Sequence, residues 1–161
     1  MGTIALQLAK HVGAYVAVSA SAASEARLQP FHPDLFIDYN AMKFHEMNGL
    51  QDMDIVLDCV GDQSDFECAK LILKPEGKYI SIRNFALGSD PYAHPPLTYA
   101  AFFCLYNNPN VQDALAGLLE VGLLHVSIDE TFEFTQASVQ QMFIKCAGRR
   151  SKGKNILHVR K

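Results

Sequence analysis

The 161 residues are 49% hydrophobic and 19% charged, a composition that suits one ordinary globular domain and excludes a disordered tract or a fibrous repeat. A formal charge of −3 provides no broad basic field for nucleic acid. The four cysteines, Cys59, Cys68, Cys104 and Cys146, form no CxxC pair and share no ligand spacing with the six histidines, so buried free thiols in a reducing compartment are expected and metal binding is not.

The chain opens on "GTIALQLAKHVG", where Ile4, Leu8 and Val12 recur at helical spacing with Ala5 and Ala9 beside them. Gly13 stands where a helix closes on a left-handed residue. The runs "AYVAVSA" (14–20), "LFIDY" (35–39), "DIVLDCV" (54–60) and "KYISI" (78–82) are each short, apolar and β-rich, and each predicts a buried strand. Between the last two, "SDFECAKLIL" predicts a helix with Phe66, Ala69, Leu71 and Leu73 near one face, ended by the turn "KPEG". The proline-containing stretch at 85–103 is expected to be a long connection. It overlaps the apolar run "LTYAAFFCLY" at 97–106, which at ten residues is too short for a membrane core that needs about 20. That run suits core, a surface covered by another domain or a subunit interface, and the interface is the expectation. "NVQDALAGLLEVG" predicts a helix ended by Gly122, "VSIDETFEF" a strand, "TQASVQQMFIKCAG" a helix capped by Thr135, and "NILHV" a final strand. Strands alternating with helices in this order predict an α/β fold with a doubly wound, mostly parallel sheet.

In such sheets ligands bind beyond the carboxyl ends of the strands. After the first predicted strand stands Ser21, where folds that prefer NAD place an acid on the ribose 2′-hydroxyl. Its hydroxyl suits either a 2′-phosphate or a helix N-cap. Tyr39 suits an adenosine contact or an amphipathic strand end, and Gly61 either a close approach to the cofactor or a turn. "HEMNG" at His45 lacks the second histidine of a zinc helix. Asp52, Asp54, Asp58, Asp62 and Asp65 alternate around one strand and are expected on solvated faces and in caps.

"GTIALQLAKHVGAYVAVSAS", "DLFIDY", "DIVLDCVG", "LKPEGKYISI" and "GRRSKGKNILHV", taken together, resemble the cofactor-binding half of the medium-chain dehydrogenases/reductases, in the zinc-independent quinone oxidoreductase and enoyl reductase branch. The resemblance implies a Rossmann-type sheet whose first strand leads into a glycine-rich turn, with Gly2 matching that turn's final glycine. Residues 1–161 are then expected to be a dinucleotide-binding domain truncated at its N-terminus, without the GroES-like catalytic domain. With strand order 3-2-1-4-5-6 the missing strand is the central one, between "AYVAV" and "DIVLDCV". Gly2 is expected to let the helix pack closely on the sheet, and Gly2 and Thr3 to meet a pyrophosphate.

The resemblance further implies that Tyr39 and Arg149 approach a 2′-phosphate and that Val60, Gly61, Ser81 and Ile82 border the nicotinamide, with no catalytic acid or base identified. The implied cofactor is NADPH, with NADH as the alternative, and no zinc. The implied acceptor is a quinone or an enone/enoyl compound. A homodimer through 97–106 and a cytoplasmic setting without membrane or nucleic-acid partners complete the expectation. Two residues depart from the family pattern: Glu25 lies where relatives often carry a lysine, and His32 where a glycine tolerates positive φ. A non-catalytic Rossmann-like interaction module is the alternative function, followed by a methyltransferase-like enzyme, whose LKPGG turn "LKPEGKYISI" resembles.

Overall fold

Helix α1 (Gly2–His11) forms where the apolar spacing predicts it, and Gly13, at φ +78°, ends it with its amide on the Lys10 carbonyl. Its buried side chains are nevertheless Leu6 and Gln7, while Ile4 and Leu8 are half-buried and Val12 is exposed. A contact on the Leu6 side explains the rotation. Lys10, one turn further along that face, reaches Asp34 at 2.7 Å, and Asp34 also accepts the Val16 amide at 2.7 Å. One carboxylate therefore ties the helix to the start of the next strand.

The computed structural model describes residues 1–148 and 151–159. The chain divides into two units, Met1–Ala114 and Leu115–Lys161. In the first, β1 (Ala17–Ala20) pairs in parallel with β2 (Leu35–Asp38), from Ala17 opposite Leu35 to Ala20 opposite Asp38. Between them lie the short helix α2 (Glu25–Leu28) and a turn over Gln29–Phe31 that ends at His32. His32 has φ 52° and ψ 54°, so it occupies the left-handed conformation in which a glycine is expected.

Strands β3 (Met53–Asp58), β4 (Leu73–Ser81) and β5 (Tyr99–Phe102) form a second parallel sheet in that order. The predicted "KPEG" turn is a bulge inside β4, since Met53 lies opposite Leu73 but Ile55 lies opposite Lys78. Helix α3 (Gln63–Ala69) is shorter than predicted: Phe66 and Ala69 are buried, Leu71 is exposed, and Leu73 already belongs to β4. The long connection is corrected too. It contains β5, and the loop before it packs on itself, with Leu87 and Leu97 buried and the Ala100 amide on the Pro91 carbonyl at 2.8 Å.

Two apolar clusters hold this unit together. Phe66, Ala69, Tyr79, Leu87, Leu97 and Ala100 fill one face of the three-stranded sheet. Ile37, Leu50 and Ile72 form the other cluster, with Ala17 of β1 and Met53 and Val56 of β3 packed against it. The two sheets therefore share a core, yet β1 and β3 are not hydrogen-bonded strand neighbours. The unit is Rossmann-like, built of parallel strands and helices.

In the second unit β6 (Ile128–Glu133) pairs in parallel with β7 (Lys154–His158), as a two-stranded sheet of their own rather than as the far edge of a single sheet. Helix α5 (Gln136–Ala147) connects them, capped by Thr135, whose hydroxyl accepts the Ser138 amide. Lys145 on α5 reaches Asp129 at 2.8 Å and Glu130 at 2.6 Å, fixing the helix to β6. Helix α4 (Pro109–Glu120) precedes this unit's strands, and Gly122 follows it at φ +72°. No helix among the described residues is long and apolar enough to cross a membrane.

Candidate functional site

The expected site residues of the first unit sit at the carboxyl ends of its strands: Ser21 directly after β1, Tyr39 after β2, Val60 and Gly61 after β3, and Ser81 and Ile82 at the end of β4. The structure gathers them into two groups. At the end of the β1–β2 pair, the Tyr39 amide donates to the Ala20 carbonyl at 3.3 Å, which brings the tyrosine beside Ser21. Ser21 and Ser24 share a hydroxyl hydrogen bond at 3.2 Å, and Nη2 of Arg27 donates to Ser24 Oγ at 3.3 Å. A hydroxyl pair backed by a guanidinium suits a phosphate dianion, which Arg binds through its planar fork. Glu25, between them in sequence, is exposed. Tyr39 is 55% exposed and open to a ligand.

At the end of the β3–β4 pair a buried carboxylate organises the loops. Asp58 is buried, although the alternation of acidic residues placed it on a solvated face. Its Oδ2 accepts the Tyr79 hydroxyl at 2.6 Å and the Ser81 hydroxyl at 2.8 Å, and its Oδ1 accepts the amides of Val60 at 2.7 Å and Gly61 at 2.8 Å. Burial alone would raise this carboxyl, but the four donors outweigh it and hold it below the usual aspartate range. Burial, together with the carboxylate, pushes the Tyr79 hydroxyl far up, so it remains a donor. Ser81 Oγ in turn accepts the amides of Asn84 at 2.9 Å and Arg83 at 3.2 Å.

The result is a brace under both loops. Gly61, at φ +83°, lies so close to the second loop that an added Cβ would stand 2.6 Å from Arg83 Cβ. Gly61 thus makes a close approach to the neighbouring loop at Arg83. Ser81 is fully buried, with its hydroxyl donating to Asp58 and accepting the Arg83 and Asn84 amides, so it braces Asp58 and the loop after β4. Val60 is 69% exposed and Ile82 half-buried above this brace.

The remaining expectations divide differently. Thr3 lies in the first turn of α1, which no side chain caps. Among the described residues nothing lies within 4 Å of a Cβ built on Gly2, so the close helix-to-sheet packing expected of it is not made there. Arg149 lies outside the described residues. Asp62 caps α3 as expected, and Asp54 pairs with Lys74 at 2.6 Å. Sequence reasoning missed the roles of Asp58, Tyr79 and Arg27. The register Val56 opposite Tyr79 and Asp58 opposite Ser81, which sets these polar groups on the α3 face, is the signal that finds the first two. An open hollow lined by Glu133, Phe134, Thr135 and His158 lies in the second unit and holds none of the expected residues.

The sequence model of the zinc-binding dehydrogenase family matches residues 31–157. The chain belongs to this family. It is 26% identical to a trans-enoyl reductase of Aspergillus terreus, pgmF, over 98% of its own length and 48% of that protein. Its fold is that of the quinone oxidoreductase from Coxiella burnetii, with a TM-score of 0.79 at 23% identity over 99% of this chain and 49% of that one. It is also that of a quinone oxidoreductase from Pseudomonas syringae pv. Tomato DC3000, with a TM-score of 0.76 at 24% identity over 98% and 53%. This member of the zinc-binding dehydrogenase family thus spans about half the length of the relatives it matches. Among its described residues no three His, Cys, Asp or Glu side chains come together as metal ligands.

Proposed function

We propose that this chain provides the nucleotide-binding part of an NADP(H)-dependent oxidoreductase, whose hydride acceptor is a quinone or an enone/enoyl compound. The observation that carries the reading is the Ser21–Ser24–Arg27 cluster at the carboxyl end of β1, where a fold that binds NAD places an acid instead. The names of the relatives, enoyl reductase and quinone oxidoreductase, support the reaction class. When bound, the nicotinamide supplies the hydride. The chain's own contribution is to bind and orient. Ser21, Arg27 and Tyr39 hold the 2′-phosphate and adenosine end, and the α1 N-terminus at Gly2 and Thr3 attracts the pyrophosphate. Val60, Gly61 and Ile82, kept in place by Asp58 and Ser81, wall the nicotinamide end.

This reading assigns no step to zinc and leaves the other wall of the acceptor site to residues beyond this chain. The exposed part of 97–106 is the proposed homodimer contact, in a protein of the cytoplasm.

Thermal denaturation with NADPH, NADH and S-adenosylmethionine tests the proposal, because a ligand at 100 times its Kd adds about 2.7 kcal/mol to the native state. The melting point should rise most with NADPH, less with NADH and not with S-adenosylmethionine. Arg27→Gln should weaken NADPH by about 10- to 100-fold, the loss of one charge-assisted hydrogen bond, and leave NADH unchanged. A rise with S-adenosylmethionine alone refutes the oxidoreductase reading, and no rise with any of the three favours a non-catalytic module.

A further inference from the structure

We propose that Arg83, Phe85 and Phe102 form the acceptor-facing wall of the site and select a planar unsaturated carboxylic acid, with its carboxylate on the guanidinium and its apolar body on the two rings. The proposal rests on the oxidoreductase reading and deepens it, because a quinone or a simple enone carries no charge for an arginine to meet.

All three residues lie at the carboxyl ends of the second sheet, the side on which parallel sheets take ligands. Phe102 closes β5 opposite Ser81, the last residue of β4, and Arg83 and Phe85 stand in the loop that follows β4. Arg83 is rooted against the loop after β3: its Cβ and carbonyl carbon lie 2.6 and 2.8 Å from where a Cβ on Gly61 would stand. It therefore adjoins Gly61 and Ile82, which the oxidoreductase reading assigns to the nicotinamide end.

The charge has no use within the fold. Arg83 is exposed, and its guanidinium makes no ion pair or hydrogen bond among the described residues. The acids that follow β3 in sequence are engaged elsewhere: Asp58 is enclosed by its four donors, and Asp62 accepts the Ser64 amide at 2.7 Å as the cap of α3. An unpaired guanidinium matches a carboxylate through two parallel N–H bonds, which a single carbonyl oxygen does not offer.

The rings beside it are fixed. Asn84 is buried, donates its amide to Ser81 Oγ at 2.9 Å and accepts the Ala86 amide on its side chain at 3.1 Å, while Leu87 is buried in the apolar cluster below. Between these anchors Phe85 is 74% exposed, with its ring 4.6 Å from that of Phe102 and tilted by 48°. Phe102 itself packs on the same cluster. An aromatic ring held out on a turn anchored at both ends loses little freedom when a flat apolar ligand covers it. A cationic fork next to such rings selects an acid whose carboxylate is conjugated to a flat apolar group, and the arylacrylates are its simplest aromatic case.

The test is a titration of the 161-residue chain with trans-cinnamate and with trans-cinnamamide, its neutral isostere, followed residue by residue through the backbone amide resonances. Cinnamate should shift the amides of Arg83, Asn84, Phe85 and Phe102 and bind about tenfold more tightly than cinnamamide. Arg83→Gln should abolish that preference, Arg83→Lys should keep part of it, and Phe85→Ala should weaken both probes alike. Both positions are exposed, so the variants should keep the native melting point. No shift up to the solubility limit of cinnamate overturns the proposal, as do equal binding of the two probes, a preference that survives Arg83→Gln, or shifts confined to other residues. A separate titration of the same variants with NADPH distinguishes the acceptor from the cofactor. Arg83→Gln should leave NADPH unchanged, and a loss equal to that for cinnamate gives the arginine to the nucleotide and overturns the proposal. If the native chain binds no NADPH yet keeps the arginine-dependent preference for the carboxylate, the oxidoreductase reading fails and the acid-binding wall stands.

Discussion

Asp58 shows how one buried side chain sets the geometry of the loops around it. Its four donors come from β4 and from the loop after β3, so removing one leaves a buried acceptor short of a partner. Tyr79→Phe should cost about 1–3 kcal/mol, measured as a shift in the urea midpoint at unchanged slope. The sign of the pH dependence follows from the lowered carboxyl. The unfolded aspartate titrates near 3.9 and the folded one below it, so the stability Asp58 contributes is complete above about pH 5 and is lost as pH falls through the folded value. Asp58→Asn should therefore lower the melting point at neutral pH and flatten the acid side of the stability profile, and a variant with an unchanged acid limb contradicts this account. His32 offers the opposite case. A left-handed residue with a Cβ costs about 1–2 kcal/mol, part of which glycine recovers, so His32→Gly should raise the melting point.

Elements formed largely where their periodicity placed them, and the exceptions have local causes. Strand β5 lies in a stretch read as connection because its prolines and glycine lie just before the paired residues and its apolar run continues past them. The first part of that run, Leu97 and Ala100, is core, whereas Leu105 at its end is 90% exposed. Leu97→Ala should cost about 2–5 kcal/mol, and the same change at Leu105 less than about 0.5. Comparable losses at both positions would show that the run is buried along its whole length. Helix α3 ends early because Ile72 turns into the cluster shared by the two sheets and Leu73 enters the ladder opposite Met53.

At the scale of the whole molecule, the first unit is Rossmann-like, with two parallel sheets that share an apolar cluster and are not strand neighbours among the described residues. The carboxyl ends of β1 to β4 still present the proposed nucleotide contacts, because each loop is held by bonds to its own sheet. Phe103, Leu105 and Tyr106 form an exposed apolar group beyond β5. If it is the homodimer contact, sedimentation should give a dimer for the native chain and a monomer for Leu105→Lys, with the melting point of each unit's core little changed. A native chain that sediments as a monomer at all concentrations removes the dimer from the proposal.

The sequence alone determined the order of the helices and strands apart from β5, the turn glycines, the left-handed position at His32 and the strand ends on which the expected site residues fall, since these depend on neighbours a few residues apart. It also carried the family, through motifs strung along nearly its whole length. Tertiary structure decided what depends on pairing across long separations. It set the register that turned Asp58 inward beside Tyr79 and Ser81, and the packing of Gly61 on Arg83. It separated β6 and β7 into a sheet of their own and placed Arg27 beside the serines. A side chain's period states which residues share a face; only the partner strand states what that face meets.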